Sequence, residues 1–325
     1  MSRNTFDKTF KNERVEIRLL SVIIPSYNEE EMVEKSGNVI SEILLREGIE
    51  FELIFVDDGS KDNTWKMIQD IACKNTKVRG IHFSRNFGKE SAIIAGLSES
   101  IGACCVVIDC DLQHPPEKII EMYHLWEQGF EVVEGRKSSR GSETVAHSFA
   151  VKVFYGVISK ATGFDMENSS DFKLLDRKAV DVLINMHERN AFFRAMSSWI
   201  GFETIAVDFE VQERKAGESK WPTWVLIKYA LSNISSFSTA PMQVVTVLGV
   251  IMFIVSMVFG FILYVQTIMG SAQGGFATVI LVSLFSSSVI MISLGIIGYY
   301  IACIYEEIKG RPKYIISRTC GDKGY

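Results

Sequence analysis

The chain has 325 residues, enough for two domains, and a formal net charge of −5, which excludes a broad basic surface for nucleic acid. Its charge is unevenly placed. No Asp, Glu, Lys or Arg falls between Tyr229 and Tyr305, so an ordinary soluble part precedes a membrane part.

Met1 to Arg18 is polar and mixed in charge, with no apolar core, so it does not read as a signal peptide; the soluble part is expected to stay in the cytosol. Leu19 to Ile24 reads as a first strand ended by Pro25, and Ser26-Tyr27-Asn28-Glu29-Glu30 opens a helix to about Arg46. Phe51 to Val56 is a second strand, ending on Asp57-Asp58-Gly59-Ser60, where Gly permits a tight turn and Asp62 can cap the next helix. Asp58 reads as a turn and cap residue. Val78 to Phe83 is a third strand, followed by Ser84-Arg85-Asn86-Phe87-Gly88-Lys89-Glu90 and a small-residue helix, Ser91 to Ser100. Ala103 to Ile108 is a fourth, buried strand, and a helical pattern starts at Glu117. The alternation predicts an α/β domain with a mostly parallel sheet covered on both faces. Gly-x-Gly-x-x-Gly does not follow the first strand, and no Gly-x-x-x-x-Gly-Lys-Ser/Thr occurs. A dinucleotide-binding Rossmann domain and a P-loop NTPase are both disfavoured.

A short strand, Phe130 to Glu134, leads to Gly135-Arg136-Lys137-Ser138-Ser139-Arg140, and Val145 to Thr162 is amphipathic and helical. Ser169 to Arg177 reads as a loop entering a strand, Ala191 to Met196 as an apolar face with interspersed Arg, and Glu203 to Val211 as an edge or half-buried strand. Trp221 to Phe237 places Trp, Leu, Ile and Tyr at helical spacing and predicts a helix lying in a bilayer interface. Val244 to Ile268 and Phe276 to Ile304 each exceed the ~20 residues needed to span. Lys220 and Lys228 before the hairpin, and Lys309, Arg311, Lys313 and Arg318 after it, predict both ends in the cytosol. The six cysteines include no Cys-x-x-Cys pair; Cys104 and Cys105 lie in an apolar strand, which predicts buried free thiols rather than disulfides or zinc.

The chemistry gathers at Asp109-Cys110-Asp111-Leu112-Gln113-His114-Pro115-Pro116. Two carboxylates and an amide oxygen at the carboxyl end of a parallel strand stand where open α/β sheets bind ligands. They are hard oxygen ligands suited to Mg²⁺ or Mn²⁺ carrying a phosphate-bearing substrate. Asp171 could orient a sugar hydroxyl or cap a turn, and Asp176 is equally open.

Together with Pro25-Ser26-Tyr27-Asn28-Glu29-Glu30 and Asp57-Asp58-Gly59-Ser60, this run resembles the inverting family 2 glycosyltransferases of the GT-A fold. Arg214-x-x-Gly217-x-Ser219-Lys220 and the apolar hairpin narrow the resemblance to the polyprenyl-phosphate glycosyltransferases. These include the dolichol-phosphate mannosyltransferase group and, most similar, the bacterial bactoprenol glucosyltransferases. The resemblance covers about residues 19–310. With the first eighteen residues, which lie outside it, read as a polar tail, the expected division is a cytosolic GT-A domain at 19–215, an interfacial segment at 216–243, two transmembrane helices within 244–305 and a cytosolic tail at 306–325. Pro25, Tyr27, Glu29 and Asp57 would hold the nucleobase and ribose. Asp109 would sit beside ribose and metal, with Asp111 and Gln113 ligating the metal. Arg214 and Lys220 would bind the diphosphate, and Arg136 and Arg140 the lipid phosphate. The partners implied are a nucleotide sugar (UDP-glucose first, with mannose or a modified arabinose behind it), a polyprenyl phosphate and the cell membrane, with a homo-oligomer expected. A polysaccharide synthase would need a Gln-x-x-Arg-Trp motif, which Gln212-Glu213-Arg214-Lys215 does not match. A nucleotide-binding scaffold would make the carboxylates dispensable.

Overall fold

A computed structural model describes residues 18–137, 169–186, 192–210, 240–269 and 275–321. Two compact units divide the chain: residues 1–220 with 312–325, and residues 221–311.

The first unit is a three-layer α/β domain. Its elements begin β1 (Leu20–Ser26), α1 (Val33–Arg46), β2 (Phe51–Asp57), α2 (Thr64–Lys74), β3 (Val78–Phe83), α3 (Lys89–Glu99), β4 (Cys104–Val107) and α4 (Lys118–Glu127). There follow β5 (Val132–Lys137), β6 (Ser169–Asp176), α5 (Arg177–Ile184), α6 (Phe193–Trp199) and β7 (Thr204–Phe209). The sheet has eight strands in the order β7-β5-β6-β4-β1-β2-β3-β8, with β8 at Ile316–Cys320. β4, β1, β2 and β3 run parallel. Every residue of β1, β2 and β4 is buried, as expected of parallel strands covered on both faces.

Four elements depart from the sequence reading. β5 does not stop at Glu134; it runs through Gly135-Arg136-Lys137 because β7 pairs with it in parallel as far as Lys137 opposite Phe209. Ser169 to Asp176 is strand throughout, not a loop, since β6 runs antiparallel between β4 and β5. The tail after the second apolar helix returns to the sheet: β8 lies antiparallel on β3, and Tyr314 stacks on Phe83 with ring centroids 5.2 Å apart. β1 also continues through Pro25, which tolerates its missing N–H one residue from the strand end.

At the amino end of the parallel strands, Glu52 is buried with Arg79. Its carboxylate accepts from Ser21 Oγ (2.6 Å), Arg79 Nη1 (2.8 Å) and the Ile101 N–H (2.9 Å). Every acceptor there is met from within the protein.

The second unit holds α7 (Ala240–Ile268) and α8 (Phe276–Ile308). Val245–Gln266 (22 residues) and Val282–Ile308 (27 residues) are long and apolar enough to cross a membrane, and neither stretch is buried within the protein.

Candidate active site

The loops at the carboxyl ends of β1 to β4 form the site. The first two are laced together. Asn28, in the left-handed region at φ 54°, receives a hydrogen bond from the Lys61 N–H and donates its own N–H to Ser60 Oγ. Asn tolerates that conformation better than other side chains. Glu30 accepts from the Asn63 backbone, and Asp62 accepts from the Thr64 N–H and hydroxyl at the start of α2.

Asp57 is fully buried. Its Oδ1 accepts from the Ser60 N–H at 3.0 Å and its Oδ2 lies 2.7 Å from His82 Nδ1. Asp57 therefore braces the loop after β2 and the end of β3 from within, while Tyr27 is exposed and Glu29 half-buried in the loop after β1. His82 stacks on Trp65, with ring centroids 5.0 Å apart. The Asp58 side chain goes further than a local turn. It accepts from the Phe87 N–H (2.6 Å) and the Gly88 N–H (2.8 Å), pinning the loop that enters α3. Gly59 is required here: a Cβ would stand 2.5 Å from the Arg85 carbonyl carbon.

That pinned loop aims Lys89 into the site. Its Nζ lies 2.6 Å from Asp109 Oδ1 and 2.8 Å from Asp171 Oδ2. Arg194, at the start of α6, forks onto the same Asp171, Nε to Oδ1 at 2.7 Å and Nη2 to Oδ2 at 3.0 Å. Asp171 reaches the cluster because β6 is antiparallel to β4: Lys173 pairs with Val107, and Asp171 lies two residues further on. Burial opposes the charge on both partners, yet proximity wins. Lys89 and Arg194 hold the Asp171 carboxyl well below the usual carboxylate range, and Asp109 and Asp171 hold Lys89 above the usual lysine value.

Glu90 lies beside them and accepts from the Phe193 N–H at 2.8 Å. Burial first, and the Asp171 charge second, push its carboxyl up to about 7. The Lys137 charge is disfavoured by burial and then by Arg194, while Asp109 and Asp171 act the other way. Lys137 thus belongs electrostatically to the cluster, although it and its neighbour Arg136 are both exposed at the end of β5.

Asp111 and Gln113 are half-buried beyond Asp109, and Asp111 Oδ1 accepts from the Gln113 N–H. Leu112 between them is held at φ 56°, a strained position for a branched side chain. His114 is buried, stacked on Phe172, with its Nδ1 without a hydrogen-bond partner among the described residues and 3.9 Å from Asp109 Oδ2. Burial lowers its pKa. No group of three or more His, Cys, Asp and Glu fit to hold a metal occurs among the described residues. The Asp109–Asp111 pair still suits a hard divalent cation, because such an ion takes one or two carboxylates and completes its shell from phosphate and water.

Of the predicted site residues, the structure brings Asp109 and Asp171 into one cluster and sets Asp111 and Gln113 beside it. Arg140, Arg214, Lys220 and the Trp221–Phe237 helix lie outside the described residues. Asp176 resolves as structural: it caps α5 through the Lys178 N–H and accepts from Trp126 Nε1. Lys89, Glu90, Arg194 and His82 were missed by sequence reasoning. Lys89 alone carried a signal, since a cation opening a helix opposes the helix dipole and needs an anion nearby.

The family described as Glycosyl transferase family 2 matches residues 21–195. An uncharacterized glycosyltransferase of Synechocystis sp. is 39% identical over 304 residues, covering 93% of this chain and 96% of that one. A prophage bactoprenol glucosyl transferase homolog of Escherichia coli is 35% identical over 302 residues, covering 92% of this chain and 99% of that one. Among solved structures, glucosyl-3-phosphoglycerate synthase of Mycobacterium tuberculosis, in complex with Mn²⁺, UDP and phosphoglyceric acid, gives a TM-score of 0.47 at 19% identity, over 67% of this chain and 77% of that one.

Proposed function

The chain belongs to glycosyl transferase family 2, and from that premise we propose that it moves a sugar from a nucleotide sugar to a polyprenyl phosphate at the cytosolic membrane face. The observation that carries the reading is the Lys89–Asp109–Asp171–Arg194 cluster beside Asp111, in a chain that also holds two apolar helices of spanning length. The acceptor class follows from relatives named bactoprenol glucosyl transferase, which match over nine tenths of the chain. Glucose from UDP-glucose is the sugar this favours.

In this reading Pro25, Tyr27 and Glu29 line the nucleobase and ribose pocket, with Asp57 ordering it from behind. Asp109, Asp111 and Gln113 hold Mg²⁺ or Mn²⁺, which neutralises charge on the departing diphosphate. Arg214 and Lys220 add cations to that leaving group, and Asp109 also faces the ribose. Arg136, Lys137 and Arg140, at and after the end of β5, face the lipid phosphate. Asp171 does not act as a general base. Two cations already claim its carboxylate, and a phosphate monoester, with a second pKa of about 6, arrives as an anion that needs orientation rather than deprotonation. Asp171 instead positions Lys89 and Arg194 around the reacting sugar. A single in-line displacement from an α-linked nucleotide sugar gives a β-linked lipid product.

Residues before and after the hairpin belong to one compact unit, which supports the reading of an even number of crossings with both flanks on one side. The test is a panel of nucleotide sugars offered with undecaprenyl phosphate, the lipid product read by mass spectrometry. A mass gain from UDP-glucose alone supports the full reading. A gain from another sugar corrects the donor. No lipid product from any sugar rejects the acceptor.

A further inference from the structure

Asp109 is paired with a cation in a way that a loaded metal site cannot keep. Its Oδ1 is 2.6 Å from the Lys89 ammonium, and that ammonium is also 2.8 Å from Asp171 Oδ2. A divalent cation sits about 2.0–2.6 Å from a carboxylate oxygen. Placed on Asp109, it would share one carboxylate with the ammonium, and like charges that close repel strongly in a partly enclosed site. Lys89 is also free to leave. Its side chain is 40% exposed, and it opens α3, where the helix dipole disfavours a cation. Asp109 has somewhere to turn: its Oδ2 is 3.9 Å from the buried Nδ1 of His114, which has no hydrogen-bond partner among the described residues.

We infer that Lys89 is a placeholder cation. In the substrate-free protein its ammonium neutralises Asp109. When a divalent cation arrives with a nucleoside diphosphate, Lys89 gives up Asp109, stays tethered by Asp171 and turns to the diphosphate. The inference rests on the reading of Asp109 and Asp111 as the metal side of the site. Metal alone then has to displace the ammonium without offering it a new anion, and so binds weakly. Metal and diphosphate together bind cooperatively, and the coupling is reciprocal.

The test needs no turnover. Mn²⁺ is titrated into purified full-length protein in detergent, free Mn²⁺ is read by electron paramagnetic resonance, and the titration is repeated with UDP. In the wild type, UDP tightens Mn²⁺ binding tenfold or more. Lys89→Met binds Mn²⁺ without UDP about ten- to a hundredfold tighter than wild type, the scale of a removed charge-assisted contact. Its enhancement by UDP shrinks to what UDP oxygens supply as ligands. Lys89→Arg keeps the charge and stays near wild type. Lys89→Gln repeats the measurement if the Met variant folds poorly, since Arg194 still pairs with Asp171 in either. Neutral variants that bind Mn²⁺ no tighter than wild type, or that keep the whole UDP enhancement, overturn the inference. Wild-type protein that binds no Mn²⁺ even with UDP overturns the metal reading beneath it.

Discussion

The two ends of the sheet carry the same chemistry to opposite purposes. At the amino end, Glu52 and Arg79 are each 8% exposed, and the carboxylate is met by a hydroxyl, a guanidinium and a backbone N–H fixed in the fold. At the carboxyl end, Asp109 and Lys89 keep 27% and 40% of their side-chain surface, and the bridging cation rides on a flexible four-carbon stem. A buried pair whose partners cannot leave is architecture. A half-open pair whose cation can be exchanged for another is a binding site at rest.

Breaking the closed end should cost the most. Glu52→Ala leaves Arg79 buried without its main partner, a loss of about 3–5 kcal/mol. Thermal melting should fall by about 10 °C, while KM for the nucleotide sugar in the surviving folded protein stays at the wild-type value. A large KM change would mean the two ends are not independent.

The open end should respond in rate rather than stability. Asp111→Ala should lower kcat by about 10²–10³ in Mg²⁺ or Mn²⁺, the scale of losing one electrostatic stabiliser in an enclosed site, with an unchanged melting curve. Wild-type turnover in excess chelator would sink the metal assignment. Asp171→Asn should cost about ten- to a hundredfold in kcat/KM. Because Asp171 is assigned no proton to accept, the pH–rate profile should keep its shape; a lost ionisation in that profile would restore the base role.

Glu90 gives the smallest effect and sharpens the contrast within the open end. Its carboxyl is raised from 4.5 to about 7, so between those values the folded chain holds a proton that the unfolded chain lacks. The stability it contributes is full below pH 4.5 and is lost as pH rises through 7. Asp171, depressed by its two cations, acts in the opposite sense and only in strong acid. Glu90→Gln should therefore flatten the change in melting temperature between about pH 5 and 7 by a few degrees. An unchanged slope would place the responsible group elsewhere.

The parallel half of the fold was legible because buried strands and their acidic ends are contiguous in sequence: Val78 to Phe83 is found residue for residue. The cluster was not, because its members meet through topology. Lys89 and Asp171 are 82 positions apart, and only the antiparallel insertion of β6 beside β4 joins them. Gly135-Arg136-Lys137 was left outside the strand because its pairing partner, β7, lies some seventy residues on. β8 was hidden for another reason: Ile316-Ser317-Arg318-Thr319-Cys320 is short and polar, as an exposed edge strand has to be.

That edge strand sets an order of events. β3 is synthesised early, and β8 emerges only after both apolar helices, a wait of roughly 10–50 s at 5–20 residues per second. Throughout that interval the β3 edge is an open template for pairing with other chains. A nascent chain that stalls or is cut within the hairpin never closes it. The β3 edge is therefore covered only once both apolar helices have been made, and until then it stays available for pairing with other chains.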